Sequence, residues 1–117
     1  MPYFITLSGH KFSVLFDLVT ETTTSRTLTL SDAGTYIRCT SSSAVSITIN
    51  SDASVGWNDN CEIMFEQAGA GKITIVAGAS VTINSSETLK SLAQYSVMGI
   101  KRVAANTWTL FGEREAA

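Results

Sequence analysis

Carboxylates are the residues of this 117-residue chain whose types and spacing come closest to those of a catalytic site. Glu62 and Glu66 lie on one face of a predicted strand, and paired carboxylates can hydrolyse a glycosidic bond. Outward carboxylates on a threonine-rich strand, however, usually keep the surface soluble and discourage edge pairing. We therefore expect no enzymatic activity, and a glycan depolymerase is a remote alternative.

The other groups that could react or bind a metal are few. The single histidine, His10, lies in a predicted turn, which leaves a nucleophilic triad without a well-placed base and a metal site without ligands. Cys39 and Cys61 alternate with apolar neighbours, which indicates small buried side chains. A disulfide between them is an open alternative, although folding in a cytoplasm favours reduced thiols. We expect no cofactor.

A polar loop at 50–60 carries the remaining candidate chemistry. Asp52, Asn58 and Asp59 offer oxygen ligands of the kind that calcium accepts, but their spacing matches no calcium motif. Trp57 in the same loop is a candidate contact, since an exposed tryptophan can stack on a sugar or anchor a protein. The alternative that we favour is that Trp57 folds back as a lid over the end of the core.

Composition indicates a β protein. Serine and threonine fill 30 of the 117 positions, and charged residues make up only 15%. Threonine is β-branched and suits a strand whose outer face meets water. A net charge of −2 argues against a nucleic-acid partner, and no apolar stretch is long enough to span a membrane.

Alternation with a period of two dominates from residue 25 onward, in short segments separated by turn residues. The pattern predicts an all-β fold: a single antiparallel sandwich or small barrel of about 9–11 short strands with an N-terminal arm. We expect a hairpin turn at 68–71, where two glycines lie, and another at 105–106. The best helix candidate is 86–92, and it would form one turn at most.

The first residues differ from the rest, so we divide the chain into an arm and linker at 1–24 and an all-β module at 25–117. The segment 12–19 is apolar on both faces, with Phe12 and Phe16 on one face and Leu15 and Val19 on the other. Such a strand is either a central core strand or one with a face that another subunit covers.

The module resembles a β-rich module of structural proteins of tailed bacteriophages, over residues 27–112. The segments that carry the likeness are 28–38 (LTLSDAGTYIR), 65–75 (FEQAGAGKITI), 78–84 (GASVTIN), 94–97 (QYSV) and 108–112 (WTLFG). The family includes head decoration (cement) proteins and tail-fibre tips and is usually trimeric. No catalytic residues come with the resemblance.

The resemblance implies a virion structural protein that is folded in the bacterial host cytoplasm. A short arm suits a trimeric capsid decoration protein on the head surface better than a fibre, with the major capsid protein or other virion proteins as partners. The alternative is a tail-fibre or adhesin module that binds host surface glycan. Candidate self-association or docking contacts are the apolar residues of the arm and those with outward parity, namely Phe12, Leu15, Phe16, Val19, Met64, Met98 and Ile100.

Overall fold

The computed structural model describes residues 16–117 and, for the backbone alone, residues 3–4 and 13–14. The predicted all-β class is confirmed, because these residues form eleven strands and only two single-turn helices. The strands are β1 (Tyr3–Phe4), β2 (Ser13–Val14), β3 (Asp17–Glu21), β4 (Ser25–Thr27), β5 (Thr35–Cys39), β6 (Val45–Ile49), β7 (Glu62–Gln67), β8 (Ile73–Ala77), β9 (Thr82–Asn84), β10 (Val97–Ala104) and β11 (Thr107–Gly112). The helices are a 3-10 turn at Leu30–Asp32 and α1 (Asp52–Val55), so the helix expected at 86–92 is wrong.

The strands form two main sheets. A six-stranded sheet, called the large sheet below, has the order β3-β5-β7-β10-β11-β9. A three-stranded sheet, called the small sheet, has the order β4-β6-β8. Strands β1 and β2 pair with each other in a separate two-stranded sheet.

Between residues 17 and 77 the chain passes three times from the large sheet to the small sheet, and each of these passages is called a coil below. Each coil contributes one strand to the large sheet (β3, β5, β7) and then one to the small sheet (β4, β6, β8). Because every coil returns in the same direction, neighbouring strands are parallel, as in the pairs Val19–Ile37 and Ile37–Phe65. After the third coil, β10 and β11 form an antiparallel hairpin on β7, and β9 lies parallel to β11.

The expectation of antiparallel pairing is therefore wrong for most of the described fold, since five of the eight strand pairs among the described residues are parallel. Turn residues mark where a strand ends, but they do not distinguish a hairpin from a corner that crosses to the other sheet. The hairpin at Ala105-Asn106 is confirmed, and Asn106 has the positive φ of 52° that such a turn requires.

The glycine-rich segment 68–71 is a corner between β7 and β8 and not a hairpin, because these strands belong to different sheets. A Cβ on Gly69 would lie 2.2 Å from the carbonyl oxygen of Ser41, and one on Gly71 would lie 1.8 Å from that of Ser43. The glycines allow this corner to press against the corner of the preceding coil. Close backbone approach, and not a positive φ, explains why glycine is needed here.

One hydrophobic core lies on the inner faces of the two sheets. The large sheet contributes buried residues such as Phe65 and Trp108, and the small sheet contributes Ile47 and Ile75. Complete burial of an aliphatic or aromatic side chain stabilises a fold by roughly 1.5–3 kcal/mol. The predicted alternation of inward residues on β5, β6, β7 and β8 is thus confirmed.

A buried ion triad joins the first strands of the two sheets. Arg26 on β4 donates from one guanidinium nitrogen to Glu21 on β3 at 2.8 Å and from another to Asp32 at 2.6 Å. Glu21 is only 8% exposed and Asp32 only 3%. Burial alone raises the pKa of Glu21, but hydrogen bonds from Thr23 and Arg26 outweigh it, and the pKa lies below its ordinary value of 4.5.

The triad spans the boundary predicted at residue 24. Strand β3, which lies within the predicted arm, pairs with β5 along its whole length as an edge strand of the large sheet. The chain from Asp17 onward is therefore tied to the module by both backbone pairing and charge.

Candidate docking surface

The large sheet has an outer face that points away from the core, and an apolar row crosses it. Side chains alternate between the two faces of a strand, so the neighbours of core residues point outward. Strand register places Leu18, Tyr36, Met64, Gly99 and Phe111 opposite one another on five successive strands. These five residues are called the outer row below.

The middle of the outer row is closely packed. A Cβ on Gly99 would lie 2.4 Å from Cζ of Phe111 and 2.7 Å from Sδ of Met64. The two side chains therefore extend over the glycine from either side and meet above it. A glycine at this position makes the apolar surface continuous from β7 to β11.

The outer row keeps much of its apolar surface exposed to solvent. Leu18 is 66% exposed and Phe111 is 36% exposed, while Tyr36 and Met64 are half-buried. Phe16, directly before β3, is also 36% exposed. An apolar patch that crosses several strands and has a polar rim is the kind of surface that contacts another protein.

Charged residues border the outer row. Glu66 accepts hydrogen bonds from the hydroxyl of Tyr36 at 2.9 Å and from Nε of Arg38 at 3.3 Å. Burial, which has the larger effect, and the hydrogen bond to Glu66 together raise the pKa of Tyr36 to about 12. On the other side of the row, Nζ of Lys101 donates to Glu62 at 3.2 Å. The two carboxylates considered for glycoside hydrolysis are thus each bonded to a neighbouring cation.

The contacts predicted from the sequence have different outcomes. Met64 points away from the core, as its parity predicts, and lies in the outer row. Phe16 is exposed, whereas Val19 is half-buried and packs against the core. Phe12 and Leu15 lie outside the described residues.

Met98 and Ile100 were expected to face outward, and this expectation is wrong. Both are 0% exposed, because β10 pairs with Met98 opposite Phe65 and Ile100 opposite Ile63 of the core. The expectation assumes that Tyr95 and Val97 face the core, whereas Tyr95 is 62% exposed and Val97 pairs with the outward Glu66. When the wrong one of two alternating sets is taken as buried, every residue of the strand is placed on the wrong face.

Trp57 folds back over the core, in agreement with the favoured alternative. It is only 6% exposed, and its ring meets Trp108 edge to face with ring centres 5.1 Å apart. Its indole nitrogen donates to the carbonyl of Asn50 at 2.9 Å. In this position the ring serves as a lid, and it does not present a face to a sugar.

The carboxylates of the same loop bind an arginine. Arg102 donates to Asp52 from two nitrogens, at 3.3 and 2.7 Å, and to Asp59 at 2.7 Å. Asp52 also accepts from the backbone of Asn106 at 3.1 Å, and these bonds lower the pKa of Asp52. The two aspartates considered as calcium ligands thus hold the loop against the β10–β11 hairpin.

Cys39 and Cys61 are free thiols buried in the core, and the interpretation as small buried side chains is confirmed. Burial raises the pKa of each thiol to about 11. Both remain neutral at physiological pH and are poor nucleophiles for that reason.

Sequence reasoning did not find the outer row as a unit, and it missed Leu18, Tyr36 and Phe111. The outward direction of Tyr36 was readable, because Ile37 and Cys39 point to the core. The missing signal was strand order, which alone brings five distant residues into one row.

In the part of the chain that the structure describes, no helix has the length and apolar character required to cross a bilayer. Comparisons with protein-family models, with curated proteins and with solved structures found no match. The likeness to tailed-phage modules therefore rests on the sequence segments alone.

Proposed function

We propose that the chain is a structural protein of a bacteriophage particle that acts by packing against copies of itself and against other virion proteins. The outer row, an exposed apolar strip on the large sheet, carries the packing part of this proposal, and the resemblance over residues 27–112 carries the virion part. Such a strip is costly on an isolated soluble domain and becomes favourable when another protein covers it.

The polar chemistry of the chain also supports a structural role. Glu62 and Glu66 are bonded to Lys101 and to Arg38, and Asp52 is bonded to Arg102. Ion-paired carboxylates of this kind organise a surface and keep it soluble. Trp57, on which glycan binding depended, has its ring in the core.

For the architecture, we propose a two-layer sandwich with the large and small sheets as its layers. The core cluster draws side chains from both sheets, which supports this assignment.

For the location, we propose the head surface, where a trimer would act as decoration and stabilise the capsid through contacts with the major capsid protein. The support is the resemblance over residues 27–112. Several weak contacts per trimer add up to firm attachment without new chemistry.

The proposal is tested by locating the chain in phage particles. Antibodies against the purified protein would be imaged by electron microscopy on particles from a host that carries its gene. We expect label on the head surface, and heads without the protein should rupture at a lower temperature. Label at fibre tips would favour the tail-fibre alternative, and particles without label would contradict the proposal.

A further inference from the structure

We infer that the outer row of one copy packs against the outer row of a neighbouring copy of this chain, with Arg38 of one copy against Glu113 of the next. The inference deepens the self-association part of the proposed function, on which it rests. It follows from the order of residues in two adjacent rows that cross the large sheet.

The first argument is the distribution of apolar surface along the outer row. Leu18 and Tyr36 lie on β3 and β5 at one side of the large sheet, and Phe111 lies on β11 near the other. Suppose that copies are arranged around an axis that runs parallel to the strands. The β3 side of the row in one copy then meets the β11 side of the row in the next copy. Apolar surface then meets apolar surface at the same level, and water leaves both.

The second argument is charge complementarity in the next row along the strands. Register places Thr20, Arg38, Glu66 and Val97 in line, and Glu113 extends the line by donating its backbone N–H to Val97 at 2.9 Å. The cation lies on the β5 side and a carboxylate lies beyond β10 on the other side. The arrangement of copies that brings the apolar ends together therefore also brings Arg38 of one copy against Glu113 of the next.

Both side chains have bonding capacity left for this contact. The side chain of Arg38 is 41% exposed, and among residues 16–117 it donates only through Nε. Its two terminal nitrogens are in a position to bind a carboxylate with two parallel hydrogen bonds. Glu113 is exposed, and one of its oxygens accepts from the backbone of Val97 at 3.2 Å.

The test is a charge-swap experiment on the full chain, read by light scattering over a range of concentrations. The unaltered protein should give a mass near three times 12.5 kDa. Arg38→Glu and Glu113→Arg should each raise the concentration needed for association about tenfold or more, because each places like charges together. The double variant should restore association.

Two further variants separate this contact from general damage. Lys101→Glu makes the same charge reversal on the same face, also next to a glutamate. Because Lys101 lies outside both rows, this variant should associate as the unaltered chain does. Leu18→Ser changes a residue that is 66% exposed, so it should leave the fold intact and weaken association. Circular dichroism checks the folding of every variant.

The inference is overturned by a monomeric unaltered chain, by single reversals and Leu18→Ser that associate normally, or by a folded double variant that stays dissociated. A dimer that follows the charge-swap pattern would support the contact and count against the proposed trimer. None of these results depends on where the protein lies in a particle, so the virion proposal can fail while this inference holds.

Discussion

At the scale of single residues, position 99 on the outer face leaves no room for a side chain. A methyl group there would lie 2.4 Å from the ring of Phe111 and 2.7 Å from the sulfur of Met64. We expect Gly99→Ala to lower the free energy of unfolding by about 1–3 kcal/mol, because both side chains must move away. Urea unfolding measures the change.

The control for Gly99→Ala is the same change in a Phe111→Ala background. Removal of the ring takes away the nearest obstacle, so the added alanine should cost less there than in the unaltered chain. Equal costs in both backgrounds would show that the ring is not the obstacle.

Two methionines on neighbouring strands offer a second test at this scale, since Met98 is fully buried and Met64 is half-buried on the opposite face. Met98→Ala should lower the free energy of unfolding by about 2–5 kcal/mol, the usual cost of a core cavity. Met64→Ala should lower the free energy of unfolding by only about 1 kcal/mol, because the side chain of Met64 buries less apolar surface on folding than that of Met98. Thermal and urea unfolding would compare them, and similar losses would contradict the assigned faces.

At the scale of elements, the ion triad fixes β3 and β4 to each other although they belong to different sheets. We expect Arg26→Gln to lower the free energy of unfolding by about 3 kcal/mol at pH 7, because it leaves two buried carboxylates without their cation. The control is Lys101→Gln, which breaks an exposed pair outside the proposed contact and should cost less than about 1 kcal/mol.

The triad also makes the stability of the fold depend on pH. The pKa of Glu21 is lower in the folded chain than its ordinary 4.5, so its stabilising contribution is complete above that pH. The contribution is lost as the pH falls through the lower, folded value. Urea unfolding at several pH values between 7 and 2 should show this loss, and Arg26→Gln should show a shallower decline. An equal slope in both proteins would contradict the role of Arg26.

The elements show how far the sequence could predict the fold. The alternation of Ile37 with Cys39 and of Ile63 with Phe65 correctly gave strands and their buried faces, because burial on one face imposes a period of two. It could not give direction, since Gly69 and Gly71 serve a corner as well as they would serve a hairpin. Met98 and Ile100 were placed on the wrong face because Tyr95 and Val97 alternate with them, and the pattern alone does not show which of the two sets is buried.

The candidate site was less predictable for a related reason. Met64 was found because it alternates with core residues on its own strand. Leu18, Tyr36 and Phe111 join it only through the order of strands in the large sheet, which depends on contacts between distant parts of the chain. A row across a sheet therefore cannot be read along a single segment.

At the scale of the whole molecule, both main sheets share one core, and the described domain should unfold in a single step. Trp57 and Trp108 lie together at one end of that core, so their fluorescence reports its opening. We expect the fluorescence and circular-dichroism transitions in urea to coincide. A change in fluorescence at lower urea than the loss of strand signal would show that the Trp57 loop opens separately.

The alternation of the chain between its two sheets bears on how such a protein can grow by gene duplication. The same number of residues separates Tyr36 from Met64 on the large sheet and Val45 from Ile73 on the small one. A tandem copy of that length would add one strand to each sheet and deliver the chain to β10 from the same side. A longer version of this chain could therefore be built by adding whole coils, and each added coil would lengthen the row across the outer face by one residue.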